Sequence, residues 1–128
     1  MAKKLTKKLT VKKENLASHV GSGSLDVLAT PAVAALMEGA AAQLAQSVLE
    51  NDELTTVGTA INIEHISPTP EGAEVEAEAV LVKTEGRMYC FELTARDSAG
   101  EIARGTHTRV SVNAEKFQKK ADSKFDEV

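Results

Sequence analysis

TPAVAALMEGAAAQLAQSVL, residues 30–49 of this 128-residue chain, is rich in Ala, Leu and Met and has few polar side chains. These residue types favour helix, and Thr30 followed by Pro31 is typical of an N-cap with proline at the first helical position. The segment is apolar around most of its circumference, so we expect a central helix buried on several sides. A membrane span is the alternative, but Pro31, Glu38 and the many alanines make the segment too weakly hydrophobic for a span of about 20 residues.

Strand patterns fill most of the remaining chain. Four segments after the helix are rich in β-branched or alternating apolar residues and are separated by polar turns: residues 55–66, 73–83, 87–97 and 101–112. A weaker first strand is predicted over residues 9–16. A helix followed by a meander lacks the crossover helices of a parallel sheet, so the fold class is α+β.

The simplest way to bury the apolar helix is to curl the antiparallel sheet around it. We therefore predict a hotdog fold, a long central helix wrapped by about five strands; a cystatin-like sheet is the alternative. A second protomer would help to cover the sheet edge, so we expect a homodimer.

Length and charge bound the organisation of the chain. We expect one domain over residues 1–128, with a basic and frayed start at residues 1–8 and a charged, partly helical tail at residues 113–128. Six lysines precede Glu14, so the rest of the chain is more acidic than its net charge of −4. An acidic body argues against nucleic-acid binding. The single Cys90 and the lack of a signal-peptide pattern predict a cytoplasmic protein.

Glu38 is the residue that most needs a functional explanation. It is the one charged residue between Asp26 and Glu50, and a carboxylate in an apolar helix is costly unless it is paired or protonated. Glu38 is therefore a candidate acid or base, although a place at a helix edge or a dimer seam would also explain it.

Two further side chains could carry chemistry, and each has an ordinary explanation. Thr30 could simply cap the helix, or it could be a nucleophile or orient water. His65 ends a predicted strand beside the SPTP loop, where it could face a cleft or merely pack. No spacing of His, Cys or acidic residues resembles a metal site, and Cys90 has no neighbouring base.

The chain resembles the hotdog thioesterases related to fluoroacetyl-CoA thioesterase over roughly residues 20–112. The resemblance rests on three strings: VGSGSLDVLATPAVAALMEGAA, TTVGTAINIEHISPTPEGAEVEAEAVLV and GTHTRVSVN. It implies a catalytic set of Thr30, Glu38 and His65, with the backbone N–H of Gly58 holding the thioester carbonyl. It also implies hydrolysis of an acyl-CoA substrate to free acid and CoA, without a cofactor; which group attacks stays open.

The resemblance does not imply the fluorinated substrate. Fluoroacetyl specificity in this family is associated with an aromatic lid near the acyl group, whereas every aromatic residue here lies at or after Tyr89. We therefore expect a different short or medium acyl group. A lyase is the weaker alternative, since the Asp-x-Asn-Pro-x-His pattern of hotdog hydratases is absent. A non-catalytic acyl-CoA-binding module is the other, and the joint presence of Thr30, Glu38 and His65 argues against it.

Overall fold

The computed structural model describes residues 3–126, and its elements follow the predicted order. A short 3-10 turn at Lys13–Asn15 and the one-turn helix α1, Ala17–Val20, precede the long helix α2, Thr30–Val48. The C-terminal helix α3, Ala114–Asp122, makes the predicted charged tail partly helical. The five strands are β1 Lys3–Thr10, β2 Leu54–His65, β3 Glu74–Glu85, β4 Met88–Asp97 and β5 Gly100–Asn113.

The strands form one antiparallel sheet in the order β1-β3-β4-β5-β2. Helix α2 lies across one face and contacts all five strands. The predicted α+β class, with a long helix wrapped by five antiparallel strands, is confirmed. Strands β1 and β2 are the two edges of the sheet, and β2 begins six residues after α2 ends.

Helix α2 buries a single stripe. Its buried residues recur at helical spacing along one side: Val33, Leu36, Met37, Ala40, Ala41, Leu44 and Ala45. Ala35, Gln43 and Gln46 are exposed on the other side. The expectation that the helix is buried on several sides is therefore wrong for the single chain, because the sheet covers only the stripe that faces it. No helix within residues 3–126 is long and apolar enough to cross a membrane.

The N-terminal strand lies earlier than expected. We predicted a frayed start at residues 1–8 and a strand at residues 9–16, but residues 3–10 form β1 and pair with β3. The reason is a period-two pattern hidden among the lysines, in which Leu5 and Leu9 pack against the core and Lys8 lies opposite Glu76. The half-buried Lys7 has its ammonium group close to Gly39 of α2. Residues 1 and 2 of the predicted start lie outside the described residues.

Strand β2 contains a bulge that changes which side chains face the helix. Gly58 pairs with Arg109 and Ala60 with Thr108, so Thr59 is the extra residue. A regular strand alternates its faces with period two, and one inserted residue reverses that alternation. The β2 residues that face the helix can be identified from their partners on β5. They are Thr56 and Gly58 before the bulge, and Ile61, Ile63 and His65 after it.

Close packing of β5 on β2 gives a test of this arrangement. A Cβ added at Gly105 would collide with the carbonyl oxygen of Asn62 and lie 3.0 Å from Cα of Ile63. Because both obstacles are backbone atoms, we expect Gly105→Ala to lower the free energy of unfolding by about 2 kcal/mol in urea titrations. Gly23→Ala is the matched control, since its Cβ would meet only Ala17 at 3.4 Å. Equal stabilities of the two variants would contradict the register of β2 and β5.

Candidate active site

Thr30 and His65 form a hydrogen-bonded pair at the start of α2. The distance from Thr30 Oγ1 to His65 Nδ1 is 2.8 Å. The prediction that Thr30 caps the helix is wrong: Ala29 is the N-cap residue, and no side-chain cap is formed. The helix starts one residue earlier than expected, and the Thr30 hydroxyl is therefore available to His65.

The second ring nitrogen of His65 is buried and unpaired. Among residues 3–126, Nε2 of His65 has no hydrogen-bond partner, and a buried polar atom without a partner costs about 1–3 kcal/mol. A cavity of about 340 Å³ lies beside the pair and is lined by Thr30 and His65. The other lining residues are Ala17, Ser22, Val27, Leu28, Ala29, Ile66, Ser67 and Pro68. The Thr30–His65 pair therefore lies beside a space that can hold a bound molecule.

The loop after His65 is fixed to the segment before α2. The backbone N–H of Leu28 donates to the Thr69 carbonyl at 2.9 Å, and the buried Thr69 hydroxyl donates to Asp97 Oδ2 at 2.9 Å. Hydrogen bonds from the Ala99 backbone N–H and then from Thr69 hold the pKa of Asp97 below its ordinary value. These contacts bring the end of β2 to the beginning of α2, although 35 residues separate Thr30 from His65.

Glu38 lies with Gly58, eight residues along α2 from Thr30. The space that a Gly58 Cβ would need is occupied by Oε2 of Glu38, so a larger residue there would displace the Glu38 carboxylate. Oε2 also lies 3.5 Å from Nη1 of Arg109. The Glu38 side chain is 44% exposed, so the expectation of a buried carboxylate is wrong for the single chain. The reason is that Glu38 lies at the edge of the buried stripe, beside the edge strand β2.

Arg109 is held in place by the strand next to it. Its Nε donates to the Thr56 hydroxyl at 2.8 Å and its Nη2 to the Thr56 carbonyl at 2.9 Å, which leaves Nη1 directed at Glu38. Burial lowers the pKa of Arg109, and the carboxylate of Glu38 opposes that effect. Arginine stays protonated under such conditions, so the cluster contains a fixed positive charge beside Glu38.

His107 completes this cluster as a neutral imidazole. His107 is 2% exposed, and its ring packs against Phe91 with ring centroids 6.0 Å apart. Nδ1 is 2.7 Å from the Ala60 carbonyl, which can only accept, so Nδ1 carries the proton. Nε2 is then the acceptor for Nη1 of Arg109, at 3.2 Å. Burial is the main cause that lowers the pKa of His107, and Arg109 adds to it.

The predicted site residues therefore form two groups within one chain. Thr30 contacts His65, and Glu38 contacts Gly58, but no hydrogen bond or ion pair among residues 3–126 joins the two pairs. Eight residues of helix separate Thr30 from Glu38 by about 12 Å. Within the described part of the chain, no three His, Cys, Asp or Glu side chains are grouped to hold a metal ion.

Two members of the second group were missed by sequence reasoning. His107 and Arg109 lie two residues apart on β5 and so point to the same face, where both are buried. That spacing is a usable signal, but the sequence does not show that the face turns toward Glu38.

The chain matches, over residues 11–115, a family model described as fluoroacetyl-CoA-specific thioesterase. It belongs to this family. The resemblance predicted from the sequence is thereby confirmed, and the protein is a thioester hydrolase. A curated relative, the fluoroacetyl-CoA thioesterase of Streptantibioticus cattleyicolor, is 37% identical over 99 residues, which cover 77% of this chain and 70% of the relative.

Solved structures agree with this family assignment. A mutant of the fluoroacetyl-CoA thioesterase FlK in complex with acetyl-CoA is 30% identical, with 97% of each chain covered and a TM-score of 0.89. A hot-dog-like protein from Thermanaerovibrio acidaminovorans is 18% identical, with 99% of this chain and 93% of that chain covered and a TM-score of 0.88. The second similarity concerns the fold alone and confirms the predicted hotdog fold.

The lowered pKa of His107 predicts a pH dependence of stability. The folded-state pKa lies below the ordinary value of 6.5, so the unfolded chain takes up a proton first as the pH falls. The stabilisation from neutral His107 is therefore complete above pH 6.5 and is lost as the pH falls from there toward the folded-state pKa. The groups that face the ring are Arg109 on β5, Glu38 on α2, the Ala60 carbonyl on β2 and the Phe91 ring on β4.

Urea titrations of the wild type and His107→Asn between pH 7.5 and pH 5 measure this effect. We expect the free energy of unfolding to fall more steeply with decreasing pH in the wild type. Asp97 does not obscure the comparison, because its pKa is lowered from 3.8 and it titrates below this window. Parallel pH profiles for the two proteins would contradict a neutral buried His107.

Proposed function

We propose that the protein hydrolyses a short or medium acyl-CoA thioester to the free acid and CoA. The observation that carries this proposal is the 2.8 Å contact of Thr30 Oγ1 with His65 Nδ1 beside a cavity. A hydroxyl with a base at hydrogen-bond distance is the arrangement of an activated nucleophile. We also propose a cytoplasmic location, where the free thiol of Cys90 stays reduced.

In this mechanism Thr30 attacks the thioester carbonyl and its proton passes to His65. The carbonyl oxygen gains negative charge, and the backbone N–H of Gly58 stabilises it. The C–S bond breaks, and the CoA sulfur takes the proton from His65. Water then cleaves the acyl-threonine ester. Glu38 accepts one proton of the water and passes it to the Thr30 oxygen as the ester C–O bond breaks, which releases the free acid and restores the Thr30 hydroxyl. Arg109 Nη1, 3.5 Å from Oε2 of Glu38, holds the carboxylate in position for that step.

A homodimer would bring the two groups of site residues together. Gly58 and His65 are seven residues apart on β2, roughly 20 Å along the strand, and β2 is a sheet edge. If two β2 strands pair antiparallel about a twofold axis near Ile61 and Asn62, Gly58 of one protomer lies beside His65 of the partner subunit. The same pairing would cover Ile61, an apolar side chain that is 39% exposed in the single chain.

The acyl group is proposed to occupy the cavity beside Thr30. Its walls are small or aliphatic, and among residues 3–126 no aromatic side chain lines it. Ser22 lies in the loop between α1 and α2, within the Gly21–Gly23 turn, where a bulky side chain would narrow the space. The cavity therefore suits an acyl chain longer than acetyl or fluoroacetyl.

Release of CoA from a panel of acyl-CoA esters tests the activity. We expect the wild type to prefer four- to eight-carbon acyl groups to acetyl and fluoroacetyl, because the longer chains fill the cavity. Thr30→Ala, Glu38→Gln and His65→Ala should each lower kcat/KM by about 10²-fold or more. Val82→Thr, an exposed change on β3 away from the site, is the control. Strong preference for fluoroacetyl-CoA would overturn the chain-length proposal, and no release from any ester would overturn the activity.

Mixing two inactive variants tests the shared site. When Thr30→Ala and Glu38→Gln dimers exchange subunits, each mixed dimer has one site with Thr30 from one chain and Glu38 from the other, both intact. We expect activity to recover to about a quarter of the wild type after equal mixing and exchange. A site contained within each chain would give no recovery. Light scattering on the same samples measures the oligomeric state, and monomers would contradict the shared site.

A further inference from the structure

The bulge in β2 is held from both faces of the sheet. On the outer face, the Thr59 hydroxyl lies 3.1 Å from the Thr108 carbonyl and 2.7 Å from the Thr108 hydroxyl. On the helix-facing side, Nδ1–H of His107 donates to the carbonyl of Ala60, the residue directly after the extra position. A bulge removes one residue from the regular hydrogen bonding between two strands. Here Thr108 binds the hydroxyl of the extra residue, Thr59, and His107 binds the backbone carbonyl that follows it.

His107 also connects the bulge to the charged pair. Its Nε2 accepts from Arg109 at 3.2 Å, and Nη1 of Arg109 is the group that faces Glu38. Its Cε1 lies 3.2 Å from the place where a Gly58 Cβ would stand. The buried ring of His107 therefore contacts the β2 backbone and the Arg109 guanidinium, and it borders the space next to Gly58.

We propose that His107 is a positioning residue for the thioesterase reaction, which holds the β2 bulge through Ala60 and thereby keeps Gly58 and His65 on the helix-facing side. The inference rests on the proposed function. Gly58 and His65 have opposite parity in the sequence, so without the extra residue one of them would point away from α2. His107 does not touch the acyl group in this mechanism; its effect passes through the β2 backbone at Ala60.

Substitution of His107 by asparagine or by glutamine distinguishes the contributions of its two ring nitrogens. The amide of asparagine reaches about as far as Nδ1 and can still donate to Ala60, whereas the amide of glutamine reaches about as far as Nε2 and can still accept from Arg109. We expect His107→Asn to keep kcat within about threefold of the wild type. His107→Gln should lower kcat by about tenfold to 10²-fold with little change in KM, because misplaced catalytic groups slow the chemical step.

Two controls separate positioning from simple loss of stability. Val75→Ala removes buried volume on β3 and should lower the melting temperature without lowering kcat at 25 °C. Hydrogen exchange reports on the bulge independently of activity: the amides of residues 58–61 should exchange faster in His107→Gln than in the wild type or in His107→Asn.

Each outcome decides the inference. Low kcat and fast exchange in His107→Gln, together with near-normal values in His107→Asn, support it. Equal kcat in the two variants, or a loss of kcat that follows melting temperature on the scale set by Val75→Ala, overturns it while the proposed function stands. A wild type that cleaves no acyl-CoA overturns the proposed function and with it the role of His107 in positioning the reacting groups. In that case the exchange data still show whether His107 holds the bulge.

Discussion

The extra residue in β2 is the constraint on which the candidate site depends. Gly58 comes before Thr59 and His65 after it, and both face α2 only because the alternation of the strand is reversed between them. The bulge is also at a sheet edge, where no further strand within residues 3–126 restrains it. Side-chain hydrogen bonds from Thr59 and His107 provide the restraint that a neighbouring strand would give elsewhere.

The charged groups of the candidate site form one small cluster between helix and sheet. Arg109 is buried, yet its five N–H donors are largely satisfied by Thr56, His107 and Glu38. A buried cation without such partners would be strongly destabilising. The carboxylate of Glu38 remains partly exposed, so it pairs with Arg109 and can still reach water or a ligand. The cluster thus pairs its own charges and leaves the carboxylate of Glu38 accessible.

Local sequence patterns predicted most of the fold. The helix and the last four strands lie within two residues of their expected bounds, since composition and alternation report local geometry directly. The N-terminal strand was misplaced because lysines masked its alternation of Leu5 and Leu9. The extent of the buried surface of α2 was overestimated, because alanine occurs both on buried and on half-exposed helix surfaces.

The sequence by itself determined the fold class and the family, and it named Thr30, Glu38, His65 and Gly58 as candidates, because a helix pattern and short motifs are properties of neighbouring residues. Only the tertiary structure decided how these residues are grouped. It paired Thr30 with His65, placed Glu38 over Gly58, and added His107 and Arg109 to the second group. The physical reason is that strand register and one bulged residue fix which side chains meet, and both depend on pairing between segments that are distant in sequence.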